Sequence, residues 1–189
     1  NHPAGMFDKR WQATAASEAG LTAPKTWSDL ADVDTFPILV KPILGGGGEG
    51  IKLARSRVDL DEIIAAQAPT DEPTYAQQFV TGRTIQVGGV AKSGIPIVIS
   101  AYVGEPYPDS PFGQIGTFRL LDLPDEESAV AALLADTGYT GAFCVDLIQD
   151  GTGQSWFLEL NARIFGSWMG LQLAGVNFVD AYQYAFGLG

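Results

Sequence analysis

Short apolar, β-prone runs alternate along this chain with glycine-rich turns, most clearly over residues 143–167, FCVDLIQDGTGQSWFLELNARIFGS. Residues 142–148 predict one strand, Asp150-Gly-Thr-Gly a turn and residues 155–160 a second strand, which together make a hairpin. Further strands are predicted over residues 25–27, 36–41, 51–54, 74–80, 84–91, 95–103 and 115–121. The later ones are joined by turns of a few residues, which favours antiparallel pairing. Helices are predicted over 7–19, where Asp8 is a candidate cap and Gly20 stops the run, and over 58–68, whose acidic first turn suits the helix dipole. A third covers 125–137, with Val130, Leu133 and Leu134 as its apolar stripe, and helical segments at 168–173 and 179–186 close the chain. Residues 104–114, with Pro106, Pro108 and Pro111, read as irregular. The pattern as a whole predicts an α+β fold with antiparallel sheets and flanking helices.

The polar residues that break this pattern carry the chemistry. Asp146 and Glu159 each stand in an otherwise apolar strand, where a carboxylate is unfavourable unless a cation or hydrogen-bond donors meet it. Paired strands bring them near Asn161, giving three oxygen ligands suited to Mg2+, which takes one or two carboxylates and completes its shell with water and phosphate. Arg163 adds a rigid cationic fork for phosphate or carboxylate oxygens. The plainer alternative is a solvated hairpin with incidental acids. Earlier, the strand at 36–41 ends on Lys41, and Gly45, Gly46, Gly47 and Gly48 follow before Glu49-Gly50. Four consecutive glycines without Cβ atoms suit a flap whose backbone N–H groups close on phosphate, and a floppy hairpin tip is the alternative. Neither GxxxxGK[ST] nor GxGxxG occurs. Lys9, in the first turn of the first helix, reads by itself as a solvent-facing lysine, and Arg119 as either a surface residue or a phosphate ligand.

Composition narrows the classes. A chain of 189 residues, 46% hydrophobic and 17% charged, makes one ordinary domain or two small lobes with a sizeable core, and 23 glycines fit many turns or a mobile flap. A net charge of −11 argues against a nucleic-acid partner, because phosphate contacts need clustered Lys and Arg. The single cysteine, Cys144, excludes an internal disulfide or a cysteine-cluster metal site and is expected in the core. His2, the only histidine, stands at the terminus, which excludes histidine-based triads and His-ligated zinc. No apolar run reaches the roughly 18 residues of a membrane span and no signal peptide is visible, so a cytoplasmic protein without membrane partners is expected. The start at Asn1-His2-Pro3 suggests an excised domain.

Asp8-Lys9, FPILVKP-x2-GGGGEG at 36–50, QQFVTG at 77–82 and D-x12-ELNAR at 146–163, in that order, resemble the ATP-grasp superfamily, which includes biotin carboxylase, carbamoyl-phosphate synthetase and D-alanine–D-alanine ligase. The resemblance covers nearly the whole chain, and it is the order of the four motifs that makes it specific. It implies two α+β lobes gripping ATP, here residues 1–78 with the first helix and glycine flap and residues 79–189 with the metal site. Lys9 and Lys41 would contact the phosphates, and Gly45 to Gly48 would cover the γ-phosphate. Gln77, Gln78, Phe79 and Val80 would meet the adenine, with backbone groups of Gln78 and Val80 on its edge. Asp146, Glu159 and Asn161 would hold Mg2+, or alternatively Mn2+, and Arg163, with Lys41, would steady the transferred phosphoryl group.

The implied reaction activates a carboxylate as an acylphosphate for attack by an amine, so the partners are small-molecule acids and amines. Some positions depart from the family pattern. Thr84 stands where many relatives place an acid that holds the ribose, Gln77-Gln78 replaces a more usual acidic and basic pair, and Ala162 replaces a common proline. Relatives normally carry a further N-terminal domain, expected here in the same protein; a homodimer is also expected among the assemblies. Two other functions remain open: a nucleotide-binding sensor or scaffold without catalysis, and a bicarbonate-using carboxylase, since the GGGGEG flap resembles that of biotin carboxylase.

Overall fold

In the computed structural model, residue 6 and residues 8–43, 50–68, 72–106 and 115–188 are described, the side chains of 10, 105, 106, 115 and 116 excepted. The glycine flap, Gly45 to Gly48, therefore lies outside the described residues, as do Phe7 and most of the proline-containing loop.

The β-prone runs assemble into two antiparallel sheets. The smaller has the order β1 (Thr26–Trp27), β4 (Thr74–Gln78), β2 (Ile38–Pro42), β3 (Lys52–Ala54). The larger has the order β7 (Ile115–Leu121), β6 (Ile95–Pro106), β5 (Arg83–Lys92), β8 (Gly141–Gln149), β9 (Ser155–Asn161). β6 runs through Gly104 to Pro106, where the sequence suggested irregular chain. Pro106 is accommodated because the pairing with β7 shifts register between Glu105 and Pro106.

Alternation within the larger sheet divides it into two faces. Ile85, Val87, Phe143, Val145, Leu147 and Phe157 pack with residues from α1 (Lys9–Glu18) and α3 (Pro124–Thr137) in the main core. α1 is anchored there by Gln12, whose amide donates to the Leu160 carbonyl at 2.9 Å and accepts from the Leu160 N–H at 2.9 Å. Thus α1, although it lies among the first 78 residues, packs on the larger sheet. On the opposite face Val90, Ala142 and Cys144 pack under α4 (Trp168–Leu173) and α5 (Phe178–Phe186) through Phe165, Leu171 and Phe178. Cys144 is buried, as expected of a small core side chain.

The smaller sheet buries Trp27, Ile38, Val40 and Ala76 with Leu60 of α2 (Arg57–Ala65). α2 starts where Ser56 Oγ accepts from the Asp59 N–H at 3.2 Å while the Asp59 carboxylate accepts from the Arg55 N–H at 2.7 Å, two N-terminal donors satisfied at one turn. Residues 79–82 join the sheets. Gly82 passes so close to β8 that a Cβ there would stand 2.3 Å from the Gln149 carbonyl oxygen, so only glycine fits. Arg119 is exposed on the edge strand β7.

Candidate active site

A row of polar side chains crosses three strands of the larger sheet where α4 and α5 leave it uncovered. Gln86 on β5 stands opposite Asp146 on β8, which stands opposite Glu159 on β9. The β8–β9 register shifts after the Asp146–Glu159 pair, so that Leu147 pairs with Phe157 and Leu158 is the extra residue. In a regular strand Phe157 and Glu159 would share a face. The bulge lets Phe157 enter the main core while Glu159 joins the polar row.

The row is tightly bonded. Gln86 Nε2 donates to Asp146 Oδ1 at 2.5 Å, and Asn161 Nδ2 donates to Asp146 Oδ2 at 2.9 Å and to Glu159 Oε1 at 3.1 Å. Arg163 Nη2 donates to Asn161 Oδ1 at 3.3 Å. Lys9 reaches down from α1 to Glu159 Oε2 at 3.3 Å, with its side chain only 10% exposed. Lys9 is therefore an inward-facing member of the cluster and not the solvent-facing lysine that its own segment suggests.

The smaller sheet faces this row. Lys41 on β2 is buried, and its Nζ donates to Oε1 of the buried Gln77 on β4 at 2.6 Å. Burial lowers the Lys41 ammonium to about 8; Glu159 and Asp146 oppose that fall and Lys9 adds to it. Burial likewise lifts the Asp146 carboxyl to about 6, with the Glu159 charge adding to the lift and the Gln86 hydrogen bond, Arg163 and Asn161 restraining it. Lys41 of the smaller sheet, Lys9 of α1 and the two carboxylates of the larger sheet thus act on one another electrostatically.

The donor set suits a hard divalent cation. One amide NH2, that of Asn161, is within hydrogen-bond reach of both carboxylates, and turning that amide would present its oxygen instead. Among the described residues no three acidic, histidine or cysteine side chains group as a metal site, so a third side-chain oxygen at this point could come only from the amide. Of the residues expected at the adenine, Gln77 has its side chain engaged by Lys41, and the Gln78 and Phe79 N–H groups donate to the carbonyls of Lys25 and Pro37. The Gln78 N–H is consequently not free for a ligand. Val80 follows at the sheet junction, partly buried.

Two residues in the site were not singled out in the sequence. Gln86 holds Asp146, and its own Oε1 is buried without a partner among the described residues; the buried hydroxyl of Tyr75, directly opposite Lys41 in the β2–β4 register, likewise has none among them. The available signal was a polar group inside the strands TIQVGGVA and TYAQQFV.

A family model described as an ATP-grasp domain matches residues 6–167. The D-alanine–D-alanine ligase of Bordetella petrii is 29% identical over 138 residues, covering 67% of this chain and 42% of that protein. The propionyl-CoA carboxylase alpha chain of Ruegeria pomeroyi is 29% identical over 187 residues, covering 84% of this chain and 27% of the relative. Among solved structures, the biotin carboxylase domain dimer of Hydrogenobacter thermophilus 2-oxoglutarate carboxylase, in complex with MgADP, ADP and bicarbonate, superposes with a TM-score of 0.76 at 21% identity, covering 96% of this chain and 46% of that one. The chain thus spans less than half the length of each of these relatives.

Proposed function

We propose, from the premise that this chain belongs to the ATP-grasp family, that it is the nucleotide-binding catalytic part of an ATP-dependent carboxylate–amine ligase. The observation that carries the reading is the Lys9–Glu159 contact, which joins a phosphate-type cation of α1 to a metal-type carboxylate of β9 at 3.3 Å. Residues 1–78 would supply the flap lobe, with Gly45 to Gly48 over the phosphates, but α1 among them docks on the metal lobe that residues 79–189 would form. Lys9 and Lys41 would hold the phosphates, and Phe79 and Val80 would lie beside the adenine. Asp146, Glu159 and Asn161 would hold Mg2+ or Mn2+, whose chemistry is to neutralise phosphate charge.

In this scheme a substrate carboxylate oxygen attacks the γ-phosphorus, ADP departs and an acylphosphate forms. An amine nitrogen then attacks the acyl carbon and inorganic phosphate leaves. Little covalent work falls to the protein; positioning and charge stabilisation dominate. Lys41, protonated below about 8, donates to the transferring oxygens from a buried position where its charge is weakly screened. Gln77 fixes the direction of that ammonium. Arg163 is tethered through Asn161 beside the same point, where its fork can follow the charge as the phosphoryl group moves. The acid and amine would be small molecules of amino-acid or peptide type, bound partly by a further N-terminal domain. We place the protein in the cytoplasm, with a homodimer among the assemblies open to it. No helix among the described residues is long and apolar enough to cross a membrane.

Glu159→Ala in the full-length protein tests this reading. ATP-dependent ligation is expected to fall at least about 100-fold, since a metal-site carboxylate and the partner of Lys9 are both lost. Unchanged ligation would refute the metal assignment. The carboxylase relative, which aligns over 84% of this chain, favours a second reading in which bicarbonate is the activated acid. Bicarbonate-dependent ATP hydrolysis without an amine requirement would establish it instead.

A further inference from the structure

Tyr75 is 1% exposed, yet its hydroxyl has no hydrogen-bond partner among the described residues. Buried hydroxyls are nearly always paired, and a phenylalanine would fill the same space without an unmet polar group. The position of this one identifies the missing partner. Tyr75 lies directly opposite Lys41 in the β2–β4 register, so both side chains leave the same face of the smaller sheet, as does Gln77 two residues on. Lys41 Nζ is bonded to Gln77 Oε1 at 2.6 Å. The charges that act on the phenol are the carboxylates of Glu159 and Asp8, so the ring reaches from the smaller sheet toward the polar row of the larger one.

Burial comes first among the causes that raise the phenol above its ordinary range, and the Glu159 and Asp8 charges push the same way, so the hydroxyl keeps its proton. A retained proton on the strand position opposite Lys41 calls for an acceptor oxygen. An anionic oxygen would accept from the phenol and meet the Lys41 charge together, whereas a neutral acceptor such as water would satisfy the phenol without matching that charge.

We infer that Tyr75 is a further ligand-contacting residue of this site, its hydroxyl donating to a phosphate oxygen of a nucleotide bound between Lys41 and the carboxylate row. This inference rests on the nucleotide reading above and adds to it a neutral phosphate donor from β4. The residue is matched to the loaded state, and its unpaired hydroxyl weakens the empty one.

Tyr75→Phe tests it, because the ring and its packing remain. Calorimetry and thermal unfolding on the full chain, wild type and variant, are run with MgCl2 plus ADP, MgCl2 plus pyrophosphate, and adenosine. The unliganded variant is expected to melt at or above the wild-type temperature. Its Kd for Mg·ADP and for Mg·pyrophosphate should rise about tenfold, the loss of one hydrogen bond to a charged acceptor, while the adenosine Kd stays unchanged. Equal Mg·ADP affinity in the two proteins, with the wild type binding, overturns this inference alone. A rise shared equally by adenosine overturns the phosphate assignment. A wild-type chain that binds neither Mg·ADP nor Mg·pyrophosphate overturns this inference together with the nucleotide reading. An unliganded variant that melts well below the wild type overturns the inference, because Tyr75 is then a structural residue.

Discussion

The two faces of the five-stranded sheet are built from alternate residues of the same strands and have opposite effects. Val87, Val145, Leu147 and Phe157 look into the main core, where burial of apolar surface supplies stability. Their neighbours Gln86, Asp146 and Glu159 form the polar row on the other face, where burial of the Asp146 charge weakens the fold. The comparison shows how little separates the two roles. One extra residue, Leu158, moves Glu159 off the face that Phe157 occupies. It also shows why the site sits at this end of the sheet: farther along the same face, Cys144 and Val90 are covered by α4 and α5, and the polar row begins where that cover stops.

Breaking the core face should have the largest effect on folding. Phe157, fully buried, replaced by alanine is expected to lose about 3–5 kcal/mol of stability, measured by urea denaturation, with the cavity and the lost transfer energy both contributing. A loss under about 1 kcal/mol would mean that this face does not hold the sheet together.

The polar face should respond in the opposite direction. Asp146 has its carboxyl raised from 3.8 to about 6, so the folded chain holds this proton more tightly than the unfolded chain does. Its contribution to stability is therefore complete below 3.8 and is lost as pH rises through 6. Asp146→Asn should make the unliganded protein more stable at pH 7 and flatten its pH dependence between 4 and 6, and it should abolish the Mg2+ protection expected of the wild type. Lys41, lowered from 10.5 to about 8, has the complementary profile: its contribution is complete above 10.5 and is lost as pH falls through 8. Binding needs the ionised acid and the protonated amine. Mg·ATP affinity should accordingly be bell-shaped in pH, with limbs near 6 and 8. A profile flat from pH 5 to 9 would contradict it.

Local pattern carried most of the architecture. The predicted helix over 125–137 is α3, with its apolar stripe buried and Gly138 in the left-handed conformation at its end, and the hairpin around Asp150 turns where its Asx chemistry says it should. Asp146, Glu159 and Asn161 were also legible, because each is a polar residue in apolar company whose spacing on a hairpin brings it to one end. What escaped depends on strands distant in sequence. The pairing of β2 with β4 makes Gln77 the partner of Lys41 and sets Tyr75 beside it, and the pairing of β5 with β8 sets Gln86 on Asp146. The bulge at Leu158 has no glycine or proline to announce it. The engagement of the Gln78 N–H by Lys25 arises because β1 docks beside β4, a two-residue strand with almost no sequence signal.

On the proposed reading, the polar row and the two lysines form one site for a metal-bound nucleotide. Titration calorimetry of ATP into the wild-type chain at pH 7, with and without MgCl2, tests this most directly. Measurable binding is expected with Mg2+, weakening at least about tenfold when the metal is removed, because the phosphates would then face Asp146 and Glu159 without a counter-charge. Equal affinity with and without Mg2+, or no binding in either case, would contradict it.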